Sequence, residues 1–278
     1  LLDHIFTTMR NIKSVFLGGK QIGANALRIL VDKGVPPEFV VANLDDNGID
    51  TWHESLVRIA HESGIKVITG KKVRDTEIIR EIQKVEPEII FCIGGMQIIP
   101  KELLDIPKLG VLNIHPALLP KYRGRFSTAH AIFNGEKFTG ATVHWMDEGL
   151  DSGPIILQEK FPIDDGDTAR SVYDKVTKVG SNLFIEFLEI LNSERDIVAI
   201  PQDEKQATYY PKDLPGSGKL DWKWDGATIN RFIRAMTFEP FPPPDFIFGE
   251  KKMVIIDERY FSGFKAENID EDDQKTDK

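Results

Sequence analysis

Ile89-Ile90-Phe91-Cys92-Ile93, followed by Gly94-Gly95, is the stretch whose reading decides the fold. Five apolar residues in a row, without alternation, have the composition of a parallel strand covered on both faces. Upstream, Ser14-Val15-Phe16-Leu17 reads as a first strand turned by Gly18-Gly19, and Phe39-Val40-Val41-Ala42 and Lys66-Val67-Ile68 read as a second and third. Between them, residues 24–31 place Leu27 and Leu30 on one helical side. Residues 52–63 do the same with Leu56, Ile59 and Ala60, and residues 75–85 with Ile78, Ile79 and Ile82. Val111-Leu112-Asn113-Ile114-His115 follows as a fifth strand. Strand and helix alternating in this way imply an α/β fold with a doubly wound, mostly parallel sheet. Ligands on such sheets sit at the carboxyl ends of strands, where Gly18-Gly19, Gly94-Gly95 and His115 all fall.

Downstream, Thr139-Gly140-Ala141-Thr142-Val143-His144-Trp145 and Pro154-Ile155-Ile156-Leu157-Gln158 read as strands. Asp167 or Thr168 can cap a long helix that keeps Val172, Val176, Val179, Leu183, Phe187 and Leu191 at helical spacing. Composition changes after Asn192. Residues 193–264 are rich in aromatics and prolines, with a helix at 227–236. Phe246-Ile247-Phe248 and Met253-Val254-Ile255-Ile256 suggest a β-hairpin. The division expected is a catalytic domain over 11–192, a smaller C-terminal α+β domain over 193–264 and a disordered acidic tail over 265–278.

A chain of 278 residues can bury a full core. Its 41% hydrophobic and 28% charged residues are typical of a soluble globular protein. The net charge of -9 argues against a nucleic-acid partner, which needs a basic face. The single cysteine, Cys92, excludes an intramolecular disulfide and, inside an apolar run, reads as a small core side chain rather than a nucleophile. No apolar run approaches the roughly eighteen residues of a membrane span. The start lacks a secretion signal, so a cytoplasmic enzyme without membrane partners is expected. Residues 1–10 precede the first strand, and Met9 is a candidate start.

Asn113, His115 and Asp151 carry the chemistry. In a strand, alternate side chains share a face, so Asn113 and His115 point the same way. Pro116 ends the ladder and opens a loop. Asp151 lies in the turn-rich Asp147-Glu148-Gly149-Leu150-Asp151-Ser152-Gly153. An amide, an imidazole and a carboxylate supply an oxyanion donor, a general base and its orienting partner for acyl transfer. Each residue singly is better read as a satisfied core or turn residue. Together at a strand end the residues leave both readings open.

Gly18-Gly19 does not match G-x-G-x-x-G, and no Ser or Thr follows Lys20, so a tight turn is the reading and no nicotinamide cofactor is expected. The loop Pro120-Lys121-Tyr122-Arg123-Gly124-Arg125 gathers three cations beside His115 and is a candidate phosphate or diphosphate site, against a solvated basic loop. His144 reads as structural. His4, His53, His61 and His130 lack metal-ligand spacing, so no metal is expected. Trp222, Phe238 and Phe241 read as core before base-stacking residues.

At these residues the chain resembles the folate-dependent formyltransferases. The likeness rests on Asn113-Ile114-His115-Pro116-Ala117-Leu118-Leu119-Pro120-Lys121-Tyr122-Arg123-Gly124, on Thr142-Val143-His144 through Asp147-Glu148-Gly149-Leu150-Asp151-Ser152-Gly153-Pro154-Ile155, and on Asp165-Gly166-Asp167-Thr168. It spans roughly residues 13–258, departing at Ala117, where the family commonly has Ser. The resemblance implies a Rossmann-like formyltransferase domain with N10-formyltetrahydrofolate as co-substrate. It implies Asn113, His115 and Asp151 as the catalytic set, with His115 taking the proton of the attacking amine. It implies a folate pocket between Gly94-Gly95-Met96 and the segment from Val143 through Leu150 to Asp151.

Among family branches, the glycinamide ribonucleotide enzymes resemble only the first domain, and the methionyl-tRNA enzymes need a basic surface that a charge of -9 fits poorly. Gly218-Lys219-Leu220-Asp221-Trp222, the 229–236 helix and Phe241-Pro242-Pro243-Pro244 resemble the sugar N-formyltransferases. That branch implies a nucleotide-linked amino sugar as acceptor, commonly a dTDP-4-amino-4,6-dideoxyhexose for surface glycans. It makes Lys121, Tyr122, Arg123, Arg125 and Arg234 candidate substrate contacts. A homodimer is expected, with the C-terminal hairpin as candidate interface. Methionyl-tRNA formyl transfer and a non-catalytic folate or nucleotide-sugar binder are the rivals.

Overall fold

The computed structural model describes residues 9–193, 195–210, 212–248, 251–255 and 264–267. In chain order its elements are β1 (Ser14–Gly18), α1 (Lys20–Asp32), β2 (Phe39–Ala42), α2 (Leu56–Glu62), β3 (Lys66–Ile68), α3 (Thr76–Val85), β4 (Ile89–Ile93), α4 (Lys101–Leu104) and β5 (Gly110–His115). There follow β6 (Arg123–Gly124), α5 (Ser127–Phe133), β7 (Phe138–Trp145), β8 (Ile155–Pro162), α6 (Ala169–Asn192), β9 (Tyr209–Tyr210), α7 (Gly226–Met236), β10 (Asp245–Phe248), β11 (Lys251–Ile255) and β12 (Phe264–Glu267). The chain divides into two compact units, one from residues 1–123, 140–160 and 176–208, the other from 124–139, 161–175 and 209–278.

The first unit is built on a seven-stranded sheet ordered β3-β2-β1-β4-β5-β7-β8. Neighbours from β3 to β5 pair in parallel, and β7 runs antiparallel to β5. All five β4 side chains are buried, as their composition demands. Alternation splits them between two layers. Ile90 and Cys92 join Val15, Leu17, Val41, Ile78, Ile82 and Leu103 in one apolar cluster. Phe91 points the other way, meeting Phe184 of α6 edge-on at 5.3 Å between ring centres. Fully burying each such side chain stabilises by about 1.5–3 kcal/mol.

The chain moves outward from β1 to β2 and β3, then crosses to β4 on β1's other side. Strand order therefore reverses between β1 and β4, and two loops emerge together there. The Gly19 amide donates to the Ile93 carbonyl at 3.2 Å. Gly94 has φ 66°, and a Cβ on it would lie 2.0 Å from the Gly19 carbonyl oxygen. Only glycine allows this approach. Such a switch point is where doubly wound sheets accept ligands.

Composition places one domain boundary at residue 192, whereas the second unit also draws on two earlier segments. Its aromatics explain why: Phe133 of α5 lies 5.3 Å from Trp224, and Tyr173 5.2 Å from Phe238. Leu220, Phe232, Ile233, Met236, Phe246 and Ile255 complete this core. A composition window sees only contiguous residues and misses such pairing. The expected hairpin forms from β10 and β11, with Phe248 opposite Lys251. β12 pairs with β11 and occupies positions where composition predicts tail. The rest of that expected tail, 268–278, lies outside the described residues, as does most of 1–10. Helix α4 is only four residues long, and α5 buries six of its seven residues, so neither shows an apolar stripe for periodicity to announce. Among the described residues no helix is long and apolar enough to cross a membrane.

Gly180 in the middle of α6 lets that helix approach the sheet. A Cβ there would lie 2.9 Å from Ile22 Cδ1 and 3.1 Å from Ile114 Cγ2. Gly180→Leu therefore overpacks this seam and lowers unfolding free energy by about 1–3 kcal/mol in urea titrations, despite the better helix propensity of leucine. Unchanged or raised stability would contradict this packing.

Candidate active site

Register assembles the site. In the antiparallel β5–β7 ladder, Asn113 stands opposite His144 and His115 opposite Thr142. Directly opposed residues share a face, so one side of this ladder carries two imidazoles, an amide and a hydroxyl. Asn113 Nδ2 lies 3.1 Å from His144 Nε2 and 3.4 Å from Asp151 Oδ1. His115 Nδ1 lies 3.4 Å from Asp151 Oδ2. The three residues singled out from sequence thus converge. They are joined by His144, which sequence reasoning set aside as structural. The missed signal was its two-residue offset from Thr142 on a strand pairing with Asn113 and His115.

The hydrogen bonds fix which atoms are donors. His115 Nε2 sits 2.8 Å from the Tyr122 carbonyl oxygen, which can only accept. The proton on this ring is therefore on Nε2, and the basic nitrogen is Nδ1, facing Asp151. His115 is 3% exposed, so water has little access to the pair. His144 Nδ1 likewise donates to the Trp145 carbonyl at 2.8 Å, leaving Nε2 as an acceptor for Asn113. This orients the Asn113 amide with its N–H groups toward His144 and Asp151. Burial pushes the His144 imidazole down to about 4, against an opposing pull from the Asp151 charge, so it is neutral near pH 7.

Surrounding polar groups hold these side chains. The Thr142 hydroxyl donates to the Ala117 carbonyl at 2.6 Å and accepts from Gln158 at 2.8 Å, bracing the loop after β5. Tyr122 has φ 60° and Asp151 φ 52°, both in the left-handed region that costs non-glycine residues about 1 kcal/mol or more. Gly153 is required beside Asp151, since a Cβ there would lie 2.0 Å from the Trp145 carbonyl oxygen.

The other predicted residues fall less uniformly. Gly94, Gly95 and Met96 form the loop at the β1/β4 switch point. Asn43 straps it, donating to the Gly94 carbonyl at 3.0 Å and accepting from the Met96 amide at 3.2 Å. Met96 and Leu150 are each 43% exposed. Val143 is buried opposite Ile114, so its side chain has no open surface for the expected cofactor contact. Cys92 is buried, and burial pushes its thiol up to about 12, fitting a core residue. Lys121 and Arg125 are exposed, with the Arg125 guanidinium 5.3 Å from the Phe126 ring centre. Tyr122 contributes its carbonyl to His115 while its ring is buried.

The expectation that Arg123 meets a diphosphate is corrected. Its side chain is 0% exposed, with Nη1 and Nη2 donating to Glu204 at 2.9 and 2.6 Å. A cation closed within the protein by a bidentate carboxylate is not presented to a ligand. In the second unit, Arg234 donates to the Asp167 carbonyl at 2.7 Å and to Asn230 at 3.0 Å.

The lowered basicity of the buried His144 makes folding stability depend on pH. Unfolded, this imidazole binds a proton below its ordinary 6.5, whereas the folded protein keeps it neutral down to about 4. Its contribution is full above pH 6.5 and is lost as pH falls through that window, by up to about 1.4 kcal/mol per pH unit. His144→Gln should flatten the fall in Tm between pH 6.5 and 4 relative to the parent. Parallel Tm–pH curves for the two proteins would refute it.

Comparison with known proteins gives the family. The family model for formyl transferase matches residues 36–188, more than half of the chain. Methionyl-tRNA formyltransferase of Citrifermentans bemidjiense is 34% identical over 93% of this chain and 81% of its own length. The crystal structure of an N-formyltransferase from Helicobacter canadensis, in complex with folinic acid and dTDP-3-aminofucose, superposes with TM-score 0.71 and 27% identity, covering 92% of this chain and 98% of that one. WlaRD, a sugar 3N-formyl transferase crystallised with dTDP and 5-N-formyl-THF, gives TM-score 0.69 and 25% identity over 92% and 96%. The chain belongs to the formyl transferase family and is a formyl-transferring enzyme.

Proposed function

We propose that the chain transfers a formyl group from N10-formyltetrahydrofolate to the amine of a nucleotide-linked amino sugar. The observation that carries the transfer chemistry is the convergence of Asn113, His115 and Asp151, with Nδ1 of His115 facing Asp151 at 3.4 Å. The folate carrier supplies an activated formyl carbon. The amine that attacks it must lose a proton, and N10 must gain one. His115 Nδ1 and the Asp151 carboxylate together receive that proton, because Nε2 is committed to the Tyr122 carbonyl. Asn113 Nδ2 is the donor for negative charge developing on the formyl oxygen. Its 3.4 Å contact with Asp151 is long enough to exchange readily. The half-exposed Met96 and Leu150 offer apolar contact, and the switch-point loop at Gly94 and Gly95 offers backbone polar groups, to the ring system of a folate.

Support for a sugar acceptor is the likeness to the Helicobacter canadensis enzyme, which extends through both units to 98% of that chain. The net charge of -9 also suits a small substrate better than tRNA. Lys121 is an exposed cation available to its phosphates, and a homodimer formed through the C-terminal strands accompanies this reading. Methionyl-tRNA is the second acceptor to test, favoured by the 34% identity with the Citrifermentans bemidjiense enzyme.

Incubation with formyl donor and, separately, dTDP-, UDP- and GDP-linked amino sugars and methionyl-tRNA should place label on an amino sugar. Label on tRNA alone would end the sugar reading. His115→Ala and Asp151→Ala should fold normally and lose about 100- to 10,000-fold in kcat. Near-parental kcat in His115→Ala would remove this imidazole from the chemistry.

A further inference from the structure

We propose that Gln202 is a positioning residue that holds the Asp151 turn in its active shape, with Arg123 and Glu204 fixing the direction of its amide. The geometry leaves one orientation. Arg123 Nε and Nη2 donate to a single Gln202 atom at 3.1 and 2.8 Å. A guanidinium has no acceptor, so that atom is the amide oxygen. Gln202 Nε2 is thereby turned to the Asp151 carbonyl at 2.8 Å and the Gly153 carbonyl at 2.7 Å, which can only accept. Both lone pairs of the oxygen and both N–H groups of the nitrogen are used.

This amide does what a local turn cannot do alone. Asp151 sits at φ 52°, a conformation that must be held from outside. One side chain from a segment about fifty residues downstream ties the two carbonyls that bracket Ser152. The Asp151 carboxylate is thus aimed at His115 through its own backbone. Behind Gln202, the fully buried Arg123 would be a costly unpaired charge, but Glu204 neutralises it through two oxygens at 2.6 and 2.9 Å. Arg123 then locks Gln202, and Gln202 locks Asp151. The loop cation that sequence suggested for a diphosphate acts on the catalytic carboxylate at one remove.

The proposal rests on Asp151 serving formyl transfer, so its test separates the two. Formyl-transfer kinetics are measured for Gln202→Glu, which keeps the shape but removes both donors, and for Gln202→Leu, each alone and combined with Asp151→Asn. Thermal unfolding selects the variants that fold. A displacement of the carboxylate should lower kcat about 10- to 100-fold, with KM for both substrates changed less than about threefold. In the Asp151→Asn background the same substitutions should cost no more than about twofold further, because the route through Asp151 is already broken. A Gln202 variant with parental kcat beside a crippled Asp151→Asn overturns the clamp alone, as does an equal loss in both backgrounds. Full activity in Asp151→Asn overturns the catalytic reading beneath it.

Discussion

The site depends on one register. β5 and β7 pair so that Asn113 faces His144 and His115 faces Thr142. A slip of one residue would send the whole set to the opposite face, among the apolar side chains now contributed by Ile114 and Val143. Ile114 and Val143 are 3% and 0% exposed on that other side, so a shift would bury the polar set there, away from the hydrogen-bond partners that satisfy it on its present side. The apolar half of the ladder thereby specifies the chemistry of the polar half. Gly180 of α6 approaches this same Ile114, which links the long helix to the placement of the site.

From that register, polar satisfaction propagates outward in a definite order. Backbone carbonyls of Trp145 and Tyr122 set the tautomers of His144 and His115, and His144 sets the Asn113 amide. On the far side, Glu204 balances Arg123, whose guanidinium meets the amide that holds the Asp151 backbone. Buried polar networks of this kind are costly unless every member is paired. Here the pairing leaves few alternative arrangements for the atoms that handle the proton.

Much of this was legible in the sequence, for identifiable reasons. The alternation of apolar runs with helical spacing announced the parallel sheet because β4 and its neighbours bury both faces. Asn113 and His115 could be placed on one face from strand periodicity alone. Asp151 was reachable only through a motif, since nothing local says that a turn 36 residues after His115 returns to it. The role of His144 needed the strand pairing. Arg123 misled because a cation in a loop beside a site suggests an anion, and its partners at Gln202 and Glu204 lie about eighty residues away. The discontinuous make-up of the second unit was hidden for the same reason, as Phe133 finds Trp224 and Phe232 only in three dimensions.

Proton transfer at this site requires His115 to carry its proton on Nε2 and to leave Nδ1 free. Long-range proton–nitrogen correlation of the imidazole rings in labelled protein, with His115 assigned by its absence in His115→Ala, reads this directly. Nε2 should carry the proton near pH 7, held by the Tyr122 carbonyl, with Nδ1 as the bare nitrogen facing Asp151. An unprotonated Nε2 with the proton fixed on Nδ1 near pH 7 would contradict the account.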